Sequence, residues 1–124
     1  MAIQLKRIYE EADEKDGYRI LVDGVWPRGI AKDKAKVDEW NRDVAPSKEL
    51  RQWFSHDPEK FDEFKEKYKQ ELQQNNEQAE ALDQLKKTVH EQNKQVTLVF
   101  AAKEETYNHA RVLKEILDRQ PKES

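Results

Sequence analysis

The sequence predicts an α/β domain with a small, mostly parallel sheet of three to four strands packed by about five helices. Three observations lead there. Residues 96–102, VTLVFAA, are apolar on both faces, as a strand covered by helices is. Residues 18–23, YRILVD, become continuously apolar at their centre. Between these runs lies a long stretch with helical spacing, and a further helical stripe follows the second. Strand, helices, strand, helix in that order implies at least one right-handed crossover, and so Rossmann-like layers.

The elements follow in chain order. Residues 3–9 alternate in part and predict a first strand. Residues 10–17 are polar, end in Asp16-Gly17 and form a loop, short for a parallel crossover. Ser47 caps a short helix carrying Leu50, Trp53 and Phe54. Asp57-Pro58 is a helix start, with phenylalanine, tyrosine and leucine following at Phe61, Phe64, Tyr68 and Leu72. Asn76 is the expected cap of a helix with its stripe at Leu82, Leu85 and Val89. Residues 104–106 are expected to open a last helix, with His109, Val112, Leu113, Ile116 and Leu117 on one face and Pro121 ending it. One domain over residues 1–120, with a frayed tail at 121–124, accounts for the whole pattern.

Of the 124 residues, 40% are charged and 35% hydrophobic, but the apolar ones cluster, so a folded core with a heavily solvated outer face is expected. The formal net charge of −3 mixes both signs and argues against non-specific nucleic-acid binding, which needs a basic surface. Cysteine is absent, which excludes disulfides and thiolate metal sites. The three histidines, His56, His90 and His109, lack close ligand spacing, so no metal and no cofactor is expected. With neither a long apolar run nor a signal-peptide core, the cytoplasm is the expected location.

Ligands of open α/β sheets sit beyond the carboxyl ends of the strands. Two such ends are chemically rich here. One is residues 23–29, DGVWPRG, where two glycines and a proline shape the backbone beside an acid, an aromatic ring and a guanidinium. The other is residues 101–109, AAKEETYNH, leading into a helix whose first turn offers unpaired N–H groups. With Arg28 and Lys103 that helix start would make an anion site. No phosphate-binding loop, dinucleotide fingerprint or nucleophile elbow is present.

Three segments, DGYRILVDGVWPRG (16–29), WNRDVAPSKELRQWFSHDPEKF (40–61) and VTLVFAAKEETYNHA (96–110), resemble the YeaO-like branch of the domain of unknown function 488 family. The resemblance runs nearly end to end with the segments in the family's order. It implies a compact α/β fold and a bacterial or archaeal cytosolic protein, and it supplies no activity. The motif positions it marks include Asp23, Trp26, Arg28, Arg51, His56, Asn108 and His109. Gly24 stands where a basic residue often follows the strand acid. Longer members of the wider family look as if they have Cys-His where this chain has Asn108-His109, so thiol chemistry does not carry over.

Each candidate has a structural reading beside its functional one. His109 is either a core-edge histidine satisfied by backbone or a neutral imidazole placed for proton transfer. Asp57 is most simply an N-cap, and His56 a neighbour packing on Phe61. Arg28 either pairs with an acid such as Asp23 or Asp43 or clamps an anion. Arg51 either stacks on Trp53 or Trp40 or meets a ligand. Trp26 is either core or one wall of a pocket. The leading reading is a cleft at the strand ends that binds a small anionic molecule, a phosphate or carboxylate. In it Arg28 and the last helix hold the charge and Asn108 orients the ligand. Lys103, Arg51 and Trp26 contribute contacts. His109, with Asp23 or His56, supplies proton transfer if there is chemistry. The alternative is a non-catalytic interaction or scaffold domain using the surfaces near Trp26 and Trp53. Nucleic-acid binding through Arg28, Arg51 and the lysine-rich helix faces ranks third on charge.

Overall fold

A computed structural model describes residues 3–104 and 106–119. Four parallel strands form one sheet in the order β1-β4-β2-β3, with β1 at Gln4–Arg7, β2 at Tyr18–Leu21, β3 at Glu39–Trp40 and β4 at Val96–Phe100. The helices are α1 (Lys32–Ala35), α2 (Lys48–Phe54), α3 (Phe61–Gln74), α4 (Asn76–Glu91) and α5 (His109–Asp118). The small parallel α/β architecture expected from the apolar runs is the one observed. Among the described residues no helix is long and apolar enough to cross a membrane.

Register determines the two faces. Leu5, Leu98 and Ile20 align across the sheet, and with Ile3, Val22, Val96 and Phe100 they face α2, α3, α4 and α5. This face holds the main core, including Phe54, Phe64, Tyr68, Leu85 and Leu113. Lys6, Val99 and Leu21 align on the opposite face. There Ile8, Leu21, Ala35 and Val99 form a smaller cluster, with half-buried Trp26, Val37 and Trp40 packed against it.

That second face carries the connection from β1 to β2, which contains a single 3₁₀ turn, Glu14–Asp16, and no α-helix. Its closure is polar. The Asp16 carboxylate accepts from Arg19 at 2.6 Å, from Lys6 at 3.2 Å and from the Asp13 N–H at 3.0 Å. Arg19 spends its remaining donors on the carbonyls of Ala35 and Lys36. Thr97 donates to the Asp16 carbonyl, which anchors the turn to β4. Gly17 lies at φ 67° and ψ −138°, and a Cβ there would come within 2.8 Å of the Gln95 carbonyl carbon, so the chain passes β4 at a distance open only to glycine.

Local differences from the expected elements have local causes. Asn75, not Asn76, caps α4, its side chain accepting from the Gln78 N–H. Asp57 caps as expected, but what it starts is a 3₁₀ turn, Pro58–Lys60, that leads into α3. The last helix begins at His109 rather than at residues 104–106. The Glu104 carboxylate accepts from the N–H groups of Thr106 and Tyr107, and Asn108 caps the helix proper by accepting from Arg111. Strand β3 pairs over two residues only, too few to show an alternating pattern. The expected tail at 121–124 lies outside the described residues.

Burial pushes the Asp16 carboxyl up, but the hydrogen bonds from Asp13, Lys6 and Arg19 outweigh it and hold the group below its ordinary value of 3.8. A carboxyl depressed in the folded state stabilises the fold fully above its unfolded value and loses that contribution as pH falls through the folded one. Chemical denaturation of wild type is therefore expected to show stability falling below pH 3.8. In Asp16→Asn that part of the slope should be flatter. Arg19→Met leaves the buried Asp16 with Lys6 as its one cationic partner beside the Asp13 N–H. It should lower the unfolding free energy by about 3 kcal/mol in the same assay.

Candidate functional site

Beyond the carboxyl ends of β2 and β4 a cleft of about 310 Å³ opens against the main core. Its polar lining is Asp23, Arg51, His56, Asn108 and His109. Its apolar walls include Val25, the Ala45-Pro46 pair, Phe54, Phe64 and the Ala101-Ala102 pair.

Asp23 leaves the end of β2 with one carboxylate oxygen fixed, Oδ2 accepting from the Ala101 N–H at 3.0 Å. This bond joins the ends of the two central strands. Its main-chain carbonyl accepts from the Trp40 indole at 2.7 Å. The other carboxylate oxygen, Oδ1, is enclosed and is the one such side-chain atom among the described residues without a hydrogen-bond partner.

His109 is the first residue of α5, held there by the cap that Asn108 provides. Its Nε2 lies 3.2 Å from the Val22 carbonyl and 3.2 Å from Asp23 Oδ1, the latter approach too oblique for a hydrogen bond. Both neighbours are acceptors, which places the proton of the neutral ring on Nε2. The lone pair then sits on Nδ1. Nδ1 has no hydrogen-bond partner among the described residues, and His109 is one of the residues that line the cleft. The ring also stands edge-on to Tyr68, at 6.4 Å. Tyr68 is fully buried, donates its hydroxyl to the Val44 carbonyl, and is pushed well above its ordinary value by burial first and then by Glu71 and Asp23.

His56 reaches the cleft by an unusual backbone path. Ser55 and His56 both lie in the left-handed region, at φ 49° and 57°, where α2 ends. Each such non-glycine residue costs on the order of 1 kcal/mol. The facing wall is set by a hydrogen-bond hub. The Glu71 carboxylate accepts from the Ser47 N–H, the Ser47 hydroxyl and Gln78, while Gln78 also donates to the Ala45 carbonyl. Nothing in the spacing of Glu71 and Gln78 tied them to the Ala45-Pro46 wall. That wall, with Phe64 and Val25, is the part of the site that sequence reasoning missed.

The expected site residues divide. Asp23, His56, Arg51, Asn108 and His109 line one cleft. Asn108 is buried and occupied with capping, and its amide also donates to the Glu104 carbonyl at 2.7 Å. Trp26, Arg28 and Lys103 are not among the lining residues. Trp26 turns to the other face of the sheet, edge-on to Trp40 at 5.6 Å, with its indole donating to the Ile30 carbonyl. Arg28 and Lys103 are exposed, and the Arg28 carbonyl accepts from the Tyr9 hydroxyl. The Trp-Pro-Arg turn therefore meets the Asn-His helix start through its Asp23–Val25 limb alone. Arg51 stacks on neither tryptophan; Arg42 covers Trp40 and two lysines, Lys60 and Lys67, flank Trp53. Among the described residues no cluster of three metal-ligating side chains forms.

Comparison with known proteins finds relatives across nearly the whole chain. An uncharacterised protein of Mycobacterium tuberculosis is 44% identical over 116 residues, covering 94% of this chain and 93% of its own length. The uncharacterised protein YeaO of Escherichia coli K12 is 42% identical over 113 residues, covering 91% of this chain and 94% of its own. No solved structure matches. The family model that matches residues 2–124 is described as the inactive DUF488-N3 subclade, and the chain belongs to that family.

Proposed function

We propose that the protein binds a small molecule with one anionic group and a compact apolar body in this cleft, and holds it without turning it over. One observation carries the reading: two basic side chains, Arg51 and His56, stand exposed at the rim of a cleft whose walls are Val25, Ala45, Pro46, Phe54 and Phe64. Phe54 and Phe64 stack at 4.2 Å and close the apolar side of the cleft against the main core. The start of α5 at the base of the cleft adds partial positive charge. Arg28, set apart from the lining, has no part in this reading.

Retention without turnover is supported by the subclade's description as inactive. The lining agrees with it. It contains no cysteine, serine or lysine nucleophile, and Asn108 is committed to its cap.

Amide chemical-shift titration with benzoate and phenyl phosphate tests the reading. Shifts are expected at Val25, Ala101 and His109, and Arg51→Ala should weaken binding roughly fivefold, about 1 kcal/mol. Absence of shifts with both probes, or binding indifferent to Arg51→Ala, would count decisively against it. The left-handed backbone at His56 gives a second expectation. His56→Gly should raise the unfolding free energy by about 0.5–1 kcal/mol while weakening binding, a trade of strain for function. A thermal melt beside the same titration reads both effects.

A further inference from the structure

We infer that ligand and proton enter the cleft together, the anion binding with His109 protonated on Nδ1. The inference rests on the anion-binding reading above and adds the charge state of the site.

Charge at the cleft floor motivates it. With His109 neutral, the floor carries the full negative charge of Asp23, whose two oxygens face the Ala101 N–H and the edge of the imidazole. A bound anion would face that carboxylate in a partly enclosed space where repulsion is weakly screened. The Arg51 guanidinium and the His56 imidazole lie at the exposed rim, where water and salt weaken any charge. A second proton on His109 changes the floor in two ways. It offsets Asp23 across 3.2 Å, and it turns Nδ1 from an acceptor into a donor on a residue that lines the cleft.

The other groups packed around the imidazole do not supply this charge. From α3, Tyr68 keeps its proton and spends it on the Val44 carbonyl. Before α5, the Glu104 carboxylate is taken up by the Thr106 and Tyr107 N–H groups. Within α5, Arg111 is paired with Glu115 and covers Phe61 and Tyr107. Asp23 on the strand side and Arg51 and His56 on the α2 side are the other charged or titratable groups that line the cleft among the described residues. Of the two imidazoles in the cleft, His109 is the one within 3.2 Å of Asp23, where an added proton offsets the carboxylate.

Benzenesulfonate is the probe, because it stays a monoanion throughout the range in which imidazoles titrate. Calorimetry on wild type should give at least tenfold tighter binding at about pH 5.5 than at about pH 8.5. At about pH 7, two buffers of different ionisation enthalpy should reveal net proton uptake of about half a proton or more per ligand. His109→Gln keeps an N–H for the Val22 carbonyl and should bind with one weak affinity at both pH values, whereas His56→Gln should retain the pH dependence. Equal wild-type affinity at both pH values with no proton uptake overturns the inference and leaves the anion-binding reading standing. A pH dependence that survives His109→Gln and disappears in His56→Gln moves the proton to the rim and also overturns it. No binding of benzenesulfonate at any pH overturns both.

Discussion

Because all four strands run the same way, the chain must return along the sheet between each pair, and the first return has only residues 8–17 to do it. A helical crossover needs more chain than that. The solution is a carboxylate buried under the sheet. Asp16 gathers Arg19, Lys6 and its own turn around one charge, and Arg19 extends the grip to the carbonyls that end α1. A charge so deeply placed is tolerable only because each neighbour satisfies it. Gly17 then lets the chain pass close to Gln95 and enter β2 beside β4.

This arrangement fixes where chemistry can occur. With β2 and β4 adjacent, their carboxyl ends deliver Asp23 and Ala101 to one place, and a single hydrogen bond joins them. Helices α2 to α5 crowd onto the face opposite the short return, leaving the short α1 on the other, so the wall-forming phenylalanines and His109 arrive from that side. The cleft is thus a consequence of uneven coverage: four helices on one face, and loop, the short α1 and two tryptophans on the other.

Much of this was legible in the residues. VTLVFAA reads as a buried strand because both of its faces are apolar, and its first five residues, Val96–Phe100, form one. Ser47 and Asp57 read as caps because their side chains sit at the right offset from an apolar stripe, and both cap. What failed to show was anything decided by tertiary contact. The two-residue β3 has no periodicity to detect. Asn75 and Asn76 are chemically equal, and packing chose between them. Asp23, Arg51, His56, Asn108 and His109 were read as a group from chain position and family resemblance, and they share a cleft. Trp26 and Arg28 were grouped with them on proximity to Asp23, but the turn after Val25 carries both away. The indole finds Trp40 and the Ile30 carbonyl, an outcome no local pattern encodes.

Trp40 sits on the outermost strand, stacked under Arg42, yet its indole N–H reaches the main-chain carbonyl of Asp23. The edge of the sheet and the floor of the cleft therefore share one bond. An indole's emission depends on the dipoles around its ring, so this side chain is a native optical gauge of Asp23, with no dye or label attached.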